Sequence, residues 1–267
     1  MHRPDTPCPS RWFRQSRESC QAFTLIELLA GMALLLIIVL FLSRVFADTT
    51  SAWQNSNKRM EANISGRTAL EFMAREISSA IADGTLHLKL ESDAVSVLGK
   101  QADRLYFLAS DQVSRKKNST YRQVKQVGFS VGAMTHPVTG AAMPHRFAIR
   151  RTGVESLGSQ YYLAYQKDDW WTTMDAIAFT EVIAENVRDL NFWVYDASGN
   201  SLANYDSTVD GPPAFIDIVV EMLSESDAIK IAAASSAAQR EELADRAAHR
   251  YFTRVFFNNY QGYVIAP

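Results

Sequence analysis

The sequence predicts an α+β fold: one long N-terminal helix packed on an antiparallel β-sheet head. Three observations predict it. Phe23 to Phe46 is an apolar run whose only charges are Glu27 and Arg44. Trp53, Met60, Ile64, Leu70, Met73, Ile77 and Ile81 then recur mostly at threes, fours and sevens, a helical stripe. From Leu86 onward the apolar period shortens toward two, with turn residues between the segments.

The apolar run comes first. At 1.5 Å per residue, a helix over 23–46 is roughly 35 Å long, enough to cross a bilayer core. Arg3, Arg11, Arg14 and Arg17 precede it against Asp5 and Glu18, giving residues 1–22 a charge of +2. The remainder holds 23 basic and 27 acidic residues, hence −4. A basic flank before an apolar run stays cytoplasmic and sends the other side across. No small-x-small cleavage site follows the run, so it reads as a retained anchor rather than a signal peptide.

Glu27 needs an explanation. A charge at mid-bilayer costs about 2.5–3.5 kcal/mol on insertion scales and calls for a partner. Phe23 to Leu42 supplies no Lys, Arg or His. A free α-amine made by cutting just before Phe23 would supply one. It would lie a helical turn from Glu27, or beside the Glu27 of a neighbouring chain.

Residues 47–84 continue the helix with an apolar stripe and charges on its other faces, ending at Asp83-Gly84. The change from all-apolar to amphipathic suits a helix that leaves lipid and packs on a globular head. Gly31 and Gly66 are candidate bends. Residues 85–267 form the head. Strands are expected at Leu86–Leu90, Ala94–Leu98, Arg104–Ala109, within 122–133, 145–152 and 160–167, at Val187–Asp196, at Pro212–Leu223 and in "YFTRVFFNNY". Asp227 to Ala248 reads as one inserted helix with a thin stripe of Ile229, Ala233, Ala237, Leu243 and Ala247.

"AFTLIELLAGMALLLIIV", from Ala22 to Val39, closely resembles the class III prepilin leader of type IV pilins and type II secretion pseudopilins. The resemblance implies that residues 1–22 are a cytoplasmic leader, cut by a prepilin peptidase between Ala22 and Phe23. It implies N-methylation of Phe23 and assembly roles for Thr24 and Glu27. It departs at Ala22, where the family usually has Gly. "VRDLNFWVYD", "PPAFIDIVVEML" and "YFTRVFFNN" are also similar to the large minor pseudopilins of the J type. The helix before the last strand departs from that pattern and is compatible with a lineage-specific group, such as the cassette-encoded pilin-like proteins of Verrucomicrobia. The implied product is an inner-membrane, single-pass minor subunit with a periplasmic head. It would join other pilin or pseudopilin subunits in a secretion pseudopilus or pilus-like filament. The alternatives are an adhesive or DNA-binding minor pilin of a pilus tip, or a membrane-anchored periplasmic binding module.

Other chemistry finds little support. The glycines make no phosphate loop, and G-x-S-x-G, H-E-x-x-H and C-x-x-C are missing. The five histidines do not pair at helix spacing. No catalytic residue, cofactor or metal is expected. Asp196, Ser198 and Asn200, with Asp206 and Asp210, offer hard oxygens but lack the ligand density of a calcium loop. Nucleic acid is not expected on a chain of net −4 after the leader, although 115–125 is a basic strip with a tyrosine. "DDWW" at 168–171 places at least one tryptophan in the core. Cys8 and Cys20 both precede the cut, so the exported part holds no disulfide.

Overall fold

The structure, a computed structural model, describes residues 24–81, 88–111, 123–155, 169–176 and 180–257. The chain divides into two units, 1–53 and 54–267. In the first, α1 (Leu25–Ser78) begins. Its apolar stretch has a mean hydropathy of 2.9 and none of it is buried by protein.

The second unit contains the rest of α1 and the head. The expected stripe is only half right. Leu70, Met73 and Ile77 are buried, but Met60 and Ile64 are 57% and 61% exposed. The upper face is built instead from small residues, Ala62, Gly66 and Ala69. Small side chains let the helix lie close to the head. At Gly66 a Cβ would stand 2.4 Å from the Tyr251 ring. The helix ends at Ser78 rather than at Asp83-Gly84, and residues 82–87 lie outside the described set.

Among the described residues the expected antiparallel head consists of two sheets. The first is β1 (Lys89–Val97), β2 (Lys100–Asp111), β3 (Gln123–Thr135), β4 (Ala142–Glu155) and β5 (Thr180–Glu185), in chain order. The expected strands at 86–90 and 94–98 merge into β1, which shifts register between Glu91 and Val95. Leu98 and Gly99, both at positive φ, make the two-residue turn into β2. Residues 160–167 lie outside the described set. The polar-looking β5, "TEVIAE", was not anticipated.

The second sheet has the order β7-β6-β8-β9, from β6 (Val187–Tyr195), β7 (Ser201–Leu202), β8 (Phe215–Met222) and β9 (His249–Phe256). The one-turn α2 (Ser207–Asp210) precedes β8. The single helix expected at 227–248 is two, α3 (Glu225–Ala233) and α4 (Ala237–Ala247). Ser236 leaves helical geometry and caps α4 by accepting from the Gln239 amide. Ala228, Ile231 and Ala244 are buried; of the expected stripe, Leu243 and Ala247 pack partly buried against them, whereas Ile229 is exposed.

One core joins α1 to both sheets. It includes Met73 and Ile77, Leu105, Phe107 and Phe129, and Phe192, Ile216 and Ile218. The opposite face of the first sheet carries a second cluster of Tyr106, Leu108, Val154, Trp170 and Met174. Trp170 is therefore core. Trp171 is half-buried and meets its edge, with ring centroids 6.1 Å apart.

A largely buried ion cluster fixes α1 against β3 and β4. Glu76 accepts from Arg151 Nε and Nη2 at 2.6 and 2.8 Å and from Lys125 Nζ at 2.9 Å. Burial pushes the Glu76 carboxyl up, but the hydrogen bonds and charges of Arg151 and Lys125 outweigh it and hold it below its ordinary value of 4.5. A depressed carboxylate contributes stability that is complete above its unfolded pKa and is lost as pH falls through the folded one. Glu76→Ala, which strands two cations, should lower head stability by about 3–5 kcal/mol at pH 7 in urea titrations. The gap between wild type and Glu76→Gln should narrow as pH falls below 4.5. A gap that stays constant in acid would show that the ion cluster does not hold the helix. At the close approach, Gly66→Ala should cost about 1–3 kcal/mol. Tyr251→Ala in the same chain should relieve that increment. An unrelieved loss would place the strain elsewhere.

Candidate functional site

The site predicted from sequence lies where α1 starts. Of its four residues the structure describes Thr24 and Glu27; Ala22 and Phe23 lie outside the described set. A helix start leaves amide groups without intrahelical partners. Thr24 stands at the N-cap and Glu27 three residues on, and they answer each other. Thr24 Oγ1 accepts from the Glu27 amide at 3.3 Å. Glu27 Oε2 accepts from the Thr24 amide at 3.1 Å and from its hydroxyl at 3.0 Å. This is a capping box. It gives Thr24 a definite role and shows the Glu27 carboxylate folded back toward the N-terminus. The signal was present in the sequence as T-x-x-E before an apolar run.

Elsewhere, the carboxylates singled out or buried in the head have structural partners. Asp196 accepts from the Asn200 amide and side chain, closing a turn. Asp206 caps α2 and pairs with Lys89 at 3.3 Å. Asp210 accepts from the Asp206 amide at 2.9 Å, so the three acids weighed as calcium ligands serve as turn and cap formers. Asp103 accepts from the amides of Phe192 and Asp93, tying β2 to β6. Burial pushes its carboxyl up despite those bonds. Glu221 holds Lys100 at 2.9 Å and Arg188 at 3.1 Å, joining the sheets again. Among the described residues, no three His, Cys, Asp or Glu side chains gather as a metal site. Most of the basic strip 115–125 lies outside the described set.

Residues 17–43 match the family described as the prokaryotic N-terminal methylation motif. The N-terminal segment is thus similar to that motif. The match spans part of the basic flank, the four motif residues and the first turns of α1. Among solved structures, the chain is similar to a type IV-like pilin from Thermus thermophilus, at 10% identity and a TM-score of 0.43. That alignment covers 74% of this chain and 95% of the other. No curated protein matches the chain.

Removing the cap tests the local geometry. In the full-length protein in detergent micelles, Thr24→Val should speed hydrogen exchange at the amides of residues 25–28 several-fold and leave later turns of α1 unchanged. That corresponds to a cap worth about 0.5–2 kcal/mol. Unaltered exchange in the first turn would mean that the box contributes nothing to the helix start.

Proposed function

We propose that this chain is a minor pilin-like subunit. It is cut by a prepilin peptidase between Ala22 and Phe23, methylated on Phe23, and assembled into a type II secretion pseudopilus or a type IV pilus-like filament. The observation that carries this reading is the position of Glu27. Its carboxylate lies over the helix start, one residue from the nitrogen that the cut would free. Before assembly the capping box neutralises part of its cost. Within the filament it pairs with the Phe23 amine of its own or a neighbouring chain and sets axial register among helices that are otherwise uniformly apolar. A charged partner in a low-dielectric bundle gives register more reliably than stability.

The exposed face of α1 supports the same reading. Met60 and Ile64, four residues apart, share a face turned away from the head core. Large apolar side chains left uncovered on a helix suit packing against other subunits. The basic flank before Phe23 supports a cytoplasmic N-terminus and a periplasmic head.

Mass spectrometry of protein extracted from cells with an active prepilin peptidase should find a chain starting at N-methyl-Phe23. An intact Met1 terminus would refute the processing step. In the same cells, Glu27→Ala should insert into membranes as wild type does. It should lose most cross-linking to other subunits, since stranding one member of a buried pair costs about 3–5 kcal/mol. Unchanged cross-linking at equal protein levels would remove the pairing role of Glu27.

A further inference from the structure

The paired helices α3 and α4 sit on the head as an appendage. They leave from the end of β8 and return at the start of β9, where Met222 and His249 are paired neighbours. The two ends of the insertion are thus side by side, as in a hinge. Its buried residues, Leu223, Ala228, Ile231 and Ala244, form a small cluster separate from the main core. So small an apolar contact contributes little. The other attachments are polar. Glu225, at the start of α3, accepts from Arg146 at 2.5 Å and from Asn186 at 2.7 Å. Asp245, near the end of α4, accepts from Arg188. In both pairs the arginine is buried and the carboxylate stands partly in solvent.

Asp245 is one end of a row of charges. Arg188 also donates to Glu221 at 3.1 Å. Glu221 accepts from Lys100 at 2.9 Å, and Lys100 stands 3.5 Å from Asp189. The row Asp189, Lys100, Glu221, Arg188, Asp245 alternates in sign and ends on α4. Three carboxylates share two cations, so one negative charge is left over where Asp189, Glu221 and Arg188 are all buried. Asp103, buried on β2, adds to the excess around Asp189. Arg250, which β9 sets opposite Glu221, lies over the Trp193 ring. Asp189 has the poorest partner in the row. Its Oδ2 makes the 3.5 Å contact, and its Oδ1 is without a hydrogen bond among the described residues. Burial pushes its carboxyl up and Glu221 adds to this, against the pull of Lys100 and Asn191.

We propose that this row is a proton-controlled latch: uptake of a proton by Asp189 tightens α3 and α4 on the head, and loss of the proton loosens them. With Asp189 charged, Lys100 is divided between two carboxylates, and Glu221 draws on Arg188 instead. With Asp189 neutral, Lys100 belongs to Glu221, and Arg188 is released to Asp245. A carboxyl whose pKa is higher in the latched state favours that state at low pH, and the advantage is lost as pH rises through the latched value. Asp245 and Glu225 must stay charged to hold their arginines, so the latch is tightest in mild acid, above the ordinary carboxylate range. This inference is independent of how the N-terminus is processed.

Hydrogen exchange of the full chain in detergent micelles reads the latch. Amides of residues 225–247, corrected for the intrinsic pH dependence of exchange, should be several-fold better protected at about pH 5 than at about pH 7.5, with β6 and β8 unchanged. Asp189→Asn should keep the high protection at both pH values. Asp245→Asn should show low protection at both, with the circular dichroism spectrum of wild type. Asp245 is exposed, so that variant decides the matter even where Asp189→Asn fails to fold. His249 lies beside Asp227, Lys230 and Arg246 at the base of the two helices, and His249→Gln is therefore the control. It should keep the wild-type response to pH. Wild-type protection that does not change with pH overturns the latch. So does a pH response that survives Asp189→Asn or Asp245→Asn, or one that is lost in His249→Gln.

Discussion

The docking of one helix stripe holds the head together. Ala62, Gly66, Ala69, Leu70, Met73 and Ile77 form it, and the Glu76 cluster locks its lower end. Without α1 the core would lose one wall, because the same helix meets side chains of both sheets. Hydrophobic contact along such a stripe is strong but tolerates sliding. Hydrogen bonds from Arg151 and Lys125, on neighbouring strands, do not. The ion cluster therefore fixes where along the second half of α1 the sheets dock.

The two ends of α1 treat their carboxylates oppositely. Glu76 has two cations supplied by the fold. Among the described residues, Glu27 has the cap of its own helix, made with Thr24. Under the proposed function, the charged partner of Glu27 is supplied later, by processing. A new amine at Phe23 is the addition the sequence offers, and the methylation motif over 17–43 is consistent with it.

Much of this was legible in the sequence because the signals are periodic or local. The apolar run, the switch to strands, and the strands at 187–195 and 215–222 follow from residue spacing. What was not legible depends on neighbours distant in sequence. Met60 and Ile64 look like core by hydrophobicity. Gly66 and the alanines displace them because Tyr251, 185 residues on, demands a close approach. β5 looks polar because it is an edge strand with only its β4 side paired. The α3–α4 break rests on Ser236, which caps α4 although the surrounding alanines favour one continuous helix. At the N-terminal site, Thr24 and Glu27 could be named from sequence, whereas their mutual hydrogen bonds needed coordinates.

The contact between Glu27 and the new N-terminus can be measured directly. Assembled filaments carrying this subunit, with ¹⁵N at Phe23 and ¹³C at the Glu27 carboxyl, would be studied by solid-state NMR dipolar recoupling. The account predicts a nitrogen–carboxylate separation within about 4 Å, the range of an ion pair. A Phe23 nitrogen well outside that range of every Glu27 carboxyl in the filament would contradict it.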